Sequence, residues 1–172
     1  EKHLPNNPKN ILDIGCGLGI INIFLNEFYL YNCNFTLMDK NYIDKKVIYG
    51  FNNNSESYNK LEITKDFLML NNFKSDQLEL INIDENFTIN KKYELIISLF
   101  SMGYHYSIEK YIQLLLNNNY TCVMVDQVTE PPDPKSAITN IHSPGTNIIY
   151  TSKGDSSNLM TIYIETFVDL FK

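Results

Sequence analysis

Residues 10–20, NILDIGCGLGI, place three of the chain's seven glycines within five positions, directly behind an apolar run. The run 10–15 reads as a short buried strand. Gly15, Gly17 and Gly19 then let the backbone take conformations closed to other residues, and let a ligand approach with no Cβ in the way. Residues 19–30, GIINIFLNEFYL, are apolar nearly all round through Ile20, Ile21, Ile23, Phe24, Leu25 and Phe28, which predicts a buried helix. In an open α/β sheet, ligands lie beyond the carboxyl ends of the strands, at the switch point beside the first strand.

The rest of the chain continues the alternation. Residues 34–39, NFTLMD, are β-rich and end on an acid, and 47–51, VIYGF, stand in a mixed stretch before the loop-like 52–57. Residues 57–72 predict a helix capped by Ser57, with Ile63, Phe67 and Leu70 as its apolar stripe. Residues 78–83 predict a third strand, followed by Asp84, and 94–100 a fourth. Residues 107–116 predict a helix capped by Ser107, with Glu109 in its first turn and Ile108, Tyr111, Ile112 and Leu115 on one face. Residues 120–126 predict a fifth strand. The Pro-rich 129–146 predict a loop with at most a short helix, and the segments around 153–158, KGDSSN, a C-terminal hairpin. The expected fold is α/β: a doubly wound, mostly parallel sheet with helices on both faces and a C-terminal antiparallel hairpin. The short link between the third and fourth strands is the weak point of that topology, since parallel neighbours need a crossover of a dozen or so residues.

A length of 172 residues suits one domain over 1–172, with 1–9 as an extended lead-in and 129–146 as a loop or lid. The net charge of −6 argues against a nucleic-acid backbone as main partner, because phosphate binding needs a basic face. Three cysteines, Cys16, Cys33 and Cys122, at long spacings and without a CxxC, predict neither a zinc site nor a disulfide framework, so no metal is expected and a reduced, cytoplasmic setting is. The N-terminus is polar and broken by proline, unlike a signal peptide, and no apolar stretch reaches membrane-spanning length.

Two cofactor classes use a glycine turn after the first strand. A dinucleotide site wants G-x-G-x-x-G/A. Gly15 and Gly17 would then demand a small residue where Ile20 stands. The pattern Asp13-Ile-Gly15-Cys16-Gly17-Leu-Gly19 instead resembles the D-x-G-x-G-x-G motif of class I S-adenosylmethionine-dependent methyltransferases, and the order of elements extends the resemblance over most of the chain. The resemblance implies S-adenosyl-L-methionine as cofactor. Gly15, Cys16 and Gly17 would line its amino-acid part with backbone, Gly19 belongs with them to the cofactor contacts, and Asp13 would fix the turn and reach the ammonium. Asp39 would accept from the ribose hydroxyls, Lys40 would lie beside the adenine, Asp84 would accept from the adenine amine, and Phe100 is counted with the cofactor contacts. The plain alternatives are a tight structural turn for the glycines, a solvated strand end for Asp39 and an ordinary turn for Asp84.

The methyl group would face residues 98–107, SLFSMGYHYS. The (N/D)-P-P-(Y/F) signature of DNA amino-methylating members is absent there, which lowers the case for that substrate. His105 is the candidate general base and Tyr104 a candidate wall for the sulfonium, against local hydrogen bonding and packing as their plain roles. His142 is a second candidate histidine, in the segment expected as a lid. The expected function is methyl transfer to a small-molecule acceptor, at oxygen in the first instance. A non-catalytic cofactor-binding or scaffold domain of a larger assembly is the alternative, and an NAD-dependent oxidoreductase a further one. Membrane partners are not expected. A homo-oligomer, or a place within a larger chain, stays open.

Overall fold

The computed structural model describes residues 4–43, 58–83, 88–99, 101, 108–129, 132 and 135–146. The chain divides into two compact units, Glu1–Ile108 and Glu109–Lys172. The first runs β1 (Asn10–Ile14), α1 (Ile20–Phe28), β2 (Asn34–Asp39), β3 (Tyr42–Ile43), β4 (Tyr58–Asn59), α2 (Leu61–Leu70), β5 (Leu78–Asn82) and β6 (Leu95–Ile97).

A four-stranded parallel sheet in the order β5-β2-β1-β6 organises this unit. Successive strand residues point to opposite faces. In β1, Ile11, Leu12, Asp13 and Ile14 are all buried, and so are Phe35 to Asp39 in β2. Both faces of the sheet are therefore covered at these strands, and this is why Ile11, Leu12 and Ile14 in β1 and Phe35, Leu37 and Met38 in β2 fall on both faces instead of alternating. Glu94 ties the start of β6 to β1 by accepting from the backbone amides of Asn10 at 2.8 Å and Lys9 at 3.0 Å. Those amides, Asn10 foremost, hold its carboxyl below the usual range.

The short link before β6 poses no topological problem. β5 and β6 lie at opposite edges, with β2 and β1 between them. Crossing three strand spacings is roughly 14 Å. An extended chain from residue 83 to 94 reaches about 40 Å, enough to cross and also to run back along a strand.

Two expectations about helices are corrected. The helix after the glycine turn is not buried all round. Asn22, Leu25 and Asn26 face inward, while Ile20, Phe24 and Phe28 are 55%, 63% and 46% exposed. The cause is the helix's anchorage: Asn22 Nδ2 donates to Asp13 Oδ2 at 2.7 Å, and at 100° per residue that turns positions 20, 24 and 28 outward. Asn22 Oδ1 and both polar atoms of Asn26 find no hydrogen-bond partner among the described residues. In α2 the buried stripe is Leu61, Thr64 and Leu68, not Ile63, Phe67 and Leu70; Ile63 and Leu70 are exposed. Lys60, not Ser57, stands at its N-cap, and Ser57 lies outside the described residues.

The second unit carries most of α3 (Ile108–Asn117), then β7 (Cys122–Gln127) and β8 (Ser136–His142). α3 buries Tyr111, Ile112, Leu115 and Leu116. β7 and β8 form a two-stranded antiparallel sheet of their own, pairing Val123 with Ile141 and Val125 with Ile138. So the segment 129–146 is not only loop. Its prolines stand at 131, 132, 134 and 144, leaving 135–143 free to pair. The expected strand 47–51, Ser107 and the hairpin around 153–158 lie outside the described residues.

Leu68 is fully buried, and its Cδ1 lies 3.1 Å from where a Cβ on Gly19 would stand. Leu68→Ala is expected to destabilise the protein by about 3 kcal/mol, the cost of a buried leucine lost to a partly relaxed cavity. Urea unfolding measures it; a change under 1 kcal/mol would show that α2 is not seated on the turn.

Candidate functional site

The carboxyl ends of β1 and β2 meet at the glycine turn. Gly15 and Cys16 donate their backbone N–H groups to the same acceptor, Met38 O, at 2.7 and 3.2 Å, which ties the turn to the end of β2. Gly15, Gly17 and Gly19 have φ of 75°, 53° and 74°, the left-handed region. Two of these glycines leave different things beside them. A Cβ at Gly19 would press on Leu68, so its missing side chain makes room for α2. A Cβ at Gly17 would meet nothing within 4 Å among the described residues, so this turn of backbone borders space that they leave open.

Asp39, at the last position of β2 and only 8% exposed, closes the turn from the side. Its Oδ2 accepts from Gly17 N at 2.7 Å and from Asn59 Nδ2 at 3.2 Å, and its Oδ1 from Lys40 N at 2.7 Å. Asn59 Nδ2 donates also to Gly17 O at 2.8 Å. Thr64 Oγ1 stands 2.7 Å from Gly17 O and 3.2 Å from Asn59 Oδ1. On the other side, Ser101 Oγ donates to Ile14 O at 2.8 Å and lies 2.6 Å from Ser98 Oγ.

Asp13 sits beneath the turn, 2% exposed. Burial pushes its carboxyl up to about 7; the Asn22 hydrogen bond opposes this, and the Asp39 charge adds to it. Burial, with Asp13 and Asp39 nearby, also pushes the Cys16 thiol up, so it is a protonated, unreactive thiol at neutral pH. The site thus holds one buried acid drawn toward its neutral form, one acid hydrogen-bonded to the turn, and a neutral thiol.

Asp13, Gly15, Cys16, Gly17, Gly19, Asp39 and Lys40 all come together here. Asp84, Phe100, Tyr104 and His105 lie outside the described residues. His142 ends β8, paired with Cys122 and half-buried. Three residues not singled out from the sequence belong to the arrangement: Asn22, Asn59 and Thr64. Asn22 had a signal, since it and Asn26 are polar at i and i+4 in an otherwise apolar helix. Asn59 and Thr64 had none, being 42 and 47 positions from Gly17. Among the described residues, no group of three or more His, Cys, Asp or Glu could hold a metal ion, and no helix is long and apolar enough to cross a membrane. Comparisons with family models, curated proteins and solved structures returned no match.

Asp13 makes stability depend on pH. Its folded pKa is raised, so its contribution is complete below the usual carboxylate pKa and fades as pH rises through about 7. Asp13→Asn keeps the shape and an acceptor for Asn22 but removes the ionisation. The stability of the variant relative to the parent, from urea unfolding, is expected to rise from pH 5 toward about pH 7 and to level off above it. A flat difference over that range would show that Asp13 titrates normally.

Proposed function

We propose that this chain binds S-adenosyl-L-methionine across the carboxyl ends of β1 and β2 and transfers its methyl group to a small-molecule acceptor. The observation that carries the reading is Gly17: a left-handed backbone position with space that the described residues leave open where a side chain would be, its N–H held by the acid that ends the adjacent strand. The strand order supports it. In chain order the four parallel strands lie 3-2-1-4, the arrangement that begins a doubly wound sheet and sets a ligand crevice where the connections diverge.

The charge supports a sulfonium nucleoside over a dinucleotide. Asp39 lies beside the turn in a chain of net charge −6, an environment that favours a cation and opposes a pyrophosphate. On the backbone side, the room beside Gly17 suits the ligand. Gly15, Cys16 and Gly17 would hold the amino-acid part, and Asp39 the ribose. Asp13 acts one step back, fixing α1 to β1 through Asn22. Bound there, the cofactor supplies a methyl group activated by a positive sulfur. This chain's task is then chiefly alignment and exclusion of water. Tyr104 and His105 are proposed for the acceptor side on the sequence alone.

One observation favours the second reading, a non-catalytic binding or scaffold domain. Asn59 already donates to Asp39 and to the Gly17 carbonyl, so the protein's own groups satisfy the turn without a ligand.

Calorimetry separates these readings. S-adenosylmethionine is expected to bind and NAD not to; binding of NAD alone would reverse the cofactor assignment. Gly17→Ala is expected to fold with a loss of about 1 kcal/mol, the cost of a side chain in the left-handed region. The same change should weaken S-adenosylmethionine by about tenfold or more, because even one methyl obstructs close approach to backbone. Unchanged affinity would place the ligand elsewhere. Binding without turnover over a broad acceptor panel would favour the scaffold.

A further inference from the structure

We propose that Asn59 is a specificity-determining positioning residue of this site: its amide holds the Asp39 carboxylate against the glycine turn, and Thr64 secures the Gly17 carbonyl that the same amide meets, so that the pair governs how well the site distinguishes a ribonucleoside from its 2′-deoxy analogue. The inference rests on the nucleoside reading above.

The orientation of the amide follows from its neighbours. Gly17 O and Asp39 Oδ2 are both acceptors, at 2.8 and 3.2 Å, so the group facing them has to be the amino group, which has two protons to give. The carbonyl end, Asn59 Oδ1, lies 3.2 Å from Thr64 Oγ1, whose single proton goes to the nearer Gly17 O. The same hydroxyl is 2.7 Å from Gly17 O. These groups are connected through Gly17 O, and Asn59 and Thr64 are 9% and 0% exposed. Such a set holds its members in one arrangement, because a buried polar group without its partner is costly.

Asp39 Oδ2 also takes the Gly17 N–H at 2.7 Å. Asn59 therefore fixes the oxygen through which the acid meets the turn. A ribose diol at Asp39 would have to exchange with the longer Asn59 bond or share the carboxylate with it. In either case the position of the amide decides how both hydroxyls are met. Asn59 lies just before α2, whose Thr64 and Leu68 face the same turn, so the helix is the rigid element that aims the amide.

The test measures affinities of the full chain for S-adenosylhomocysteine, and for adenosine and 2′-deoxyadenosine by competition. Asn59→Ala is expected to weaken S-adenosylhomocysteine by about tenfold, as for loss of a hydrogen bond to a charged group, and to lower the adenosine-to-2′-deoxyadenosine preference. Thr64→Val should move both in the same direction by a smaller factor, and Thr64→Ser, which keeps the hydroxyl, should restore them. A parent protein that binds the nucleosides, with variants of lower melting temperature but an unchanged preference, would overturn this inference alone and leave Asn59 a structural residue. A parent protein that binds no nucleoside would overturn the nucleoside reading, and this inference with it.

Discussion

The structure depends on one tie between neighbouring parallel strands: the Gly17 N–H donated to the Asp39 carboxylate at 2.7 Å. A left-handed turn leaves its amides without ladder partners. Here Met38 O takes those of Gly15 and Cys16, and Asp39 takes that of Gly17. The acid is therefore part of the turn's own hydrogen bonding before any ligand is considered. A carboxylate can do this almost fully buried because several N–H groups replace the water it loses.

From that tie the neighbouring elements follow. Asn59 and Thr64 satisfy the Gly17 carbonyl, and Leu68 fills the space that Gly19 leaves, so α2 is seated on the turn by polar and apolar contacts together. α1 is set by the other acid. Asp13 holds Asn22, and the rotation this imposes carries Phe24 and Phe28 outward and Asn26 inward. Burial of an unpartnered amide costs about 1–3 kcal/mol. The helix orientation is thus a compromise in which the Asp13–Asn22 bond prevails over the hydrophobic preference of its neighbours.

The second unit illustrates a different balance. Its two strands pair β-branched residues across the ladder, Val123 with Ile141 and Val125 with Ile138, and these pairs stabilise the ribbon even though each residue is well exposed. Proline placement bounds the ribbon: the prolines before 135 and at 144 stand outside the paired residues, where no ladder N–H is required of them.

The amino-acid sequence by itself determined the local chemistry. Apolar and β-rich segments marked the buried strands, glycines at 15, 17 and 19 marked a turn, and acids at 13 and 39 marked the strand residues beside it, because period, backbone freedom and charge are properties of neighbouring residues. Only the tertiary structure decided which side of each helix faces inward, that 136–142 pairs as a strand, and that Asn59 and Thr64 join a turn more than 40 positions away. Those outcomes rest on hydrogen bonds and contacts between residues distant in the chain. A sequence pattern reports what a segment is able to bury; the partners that reach it in space select what it does bury.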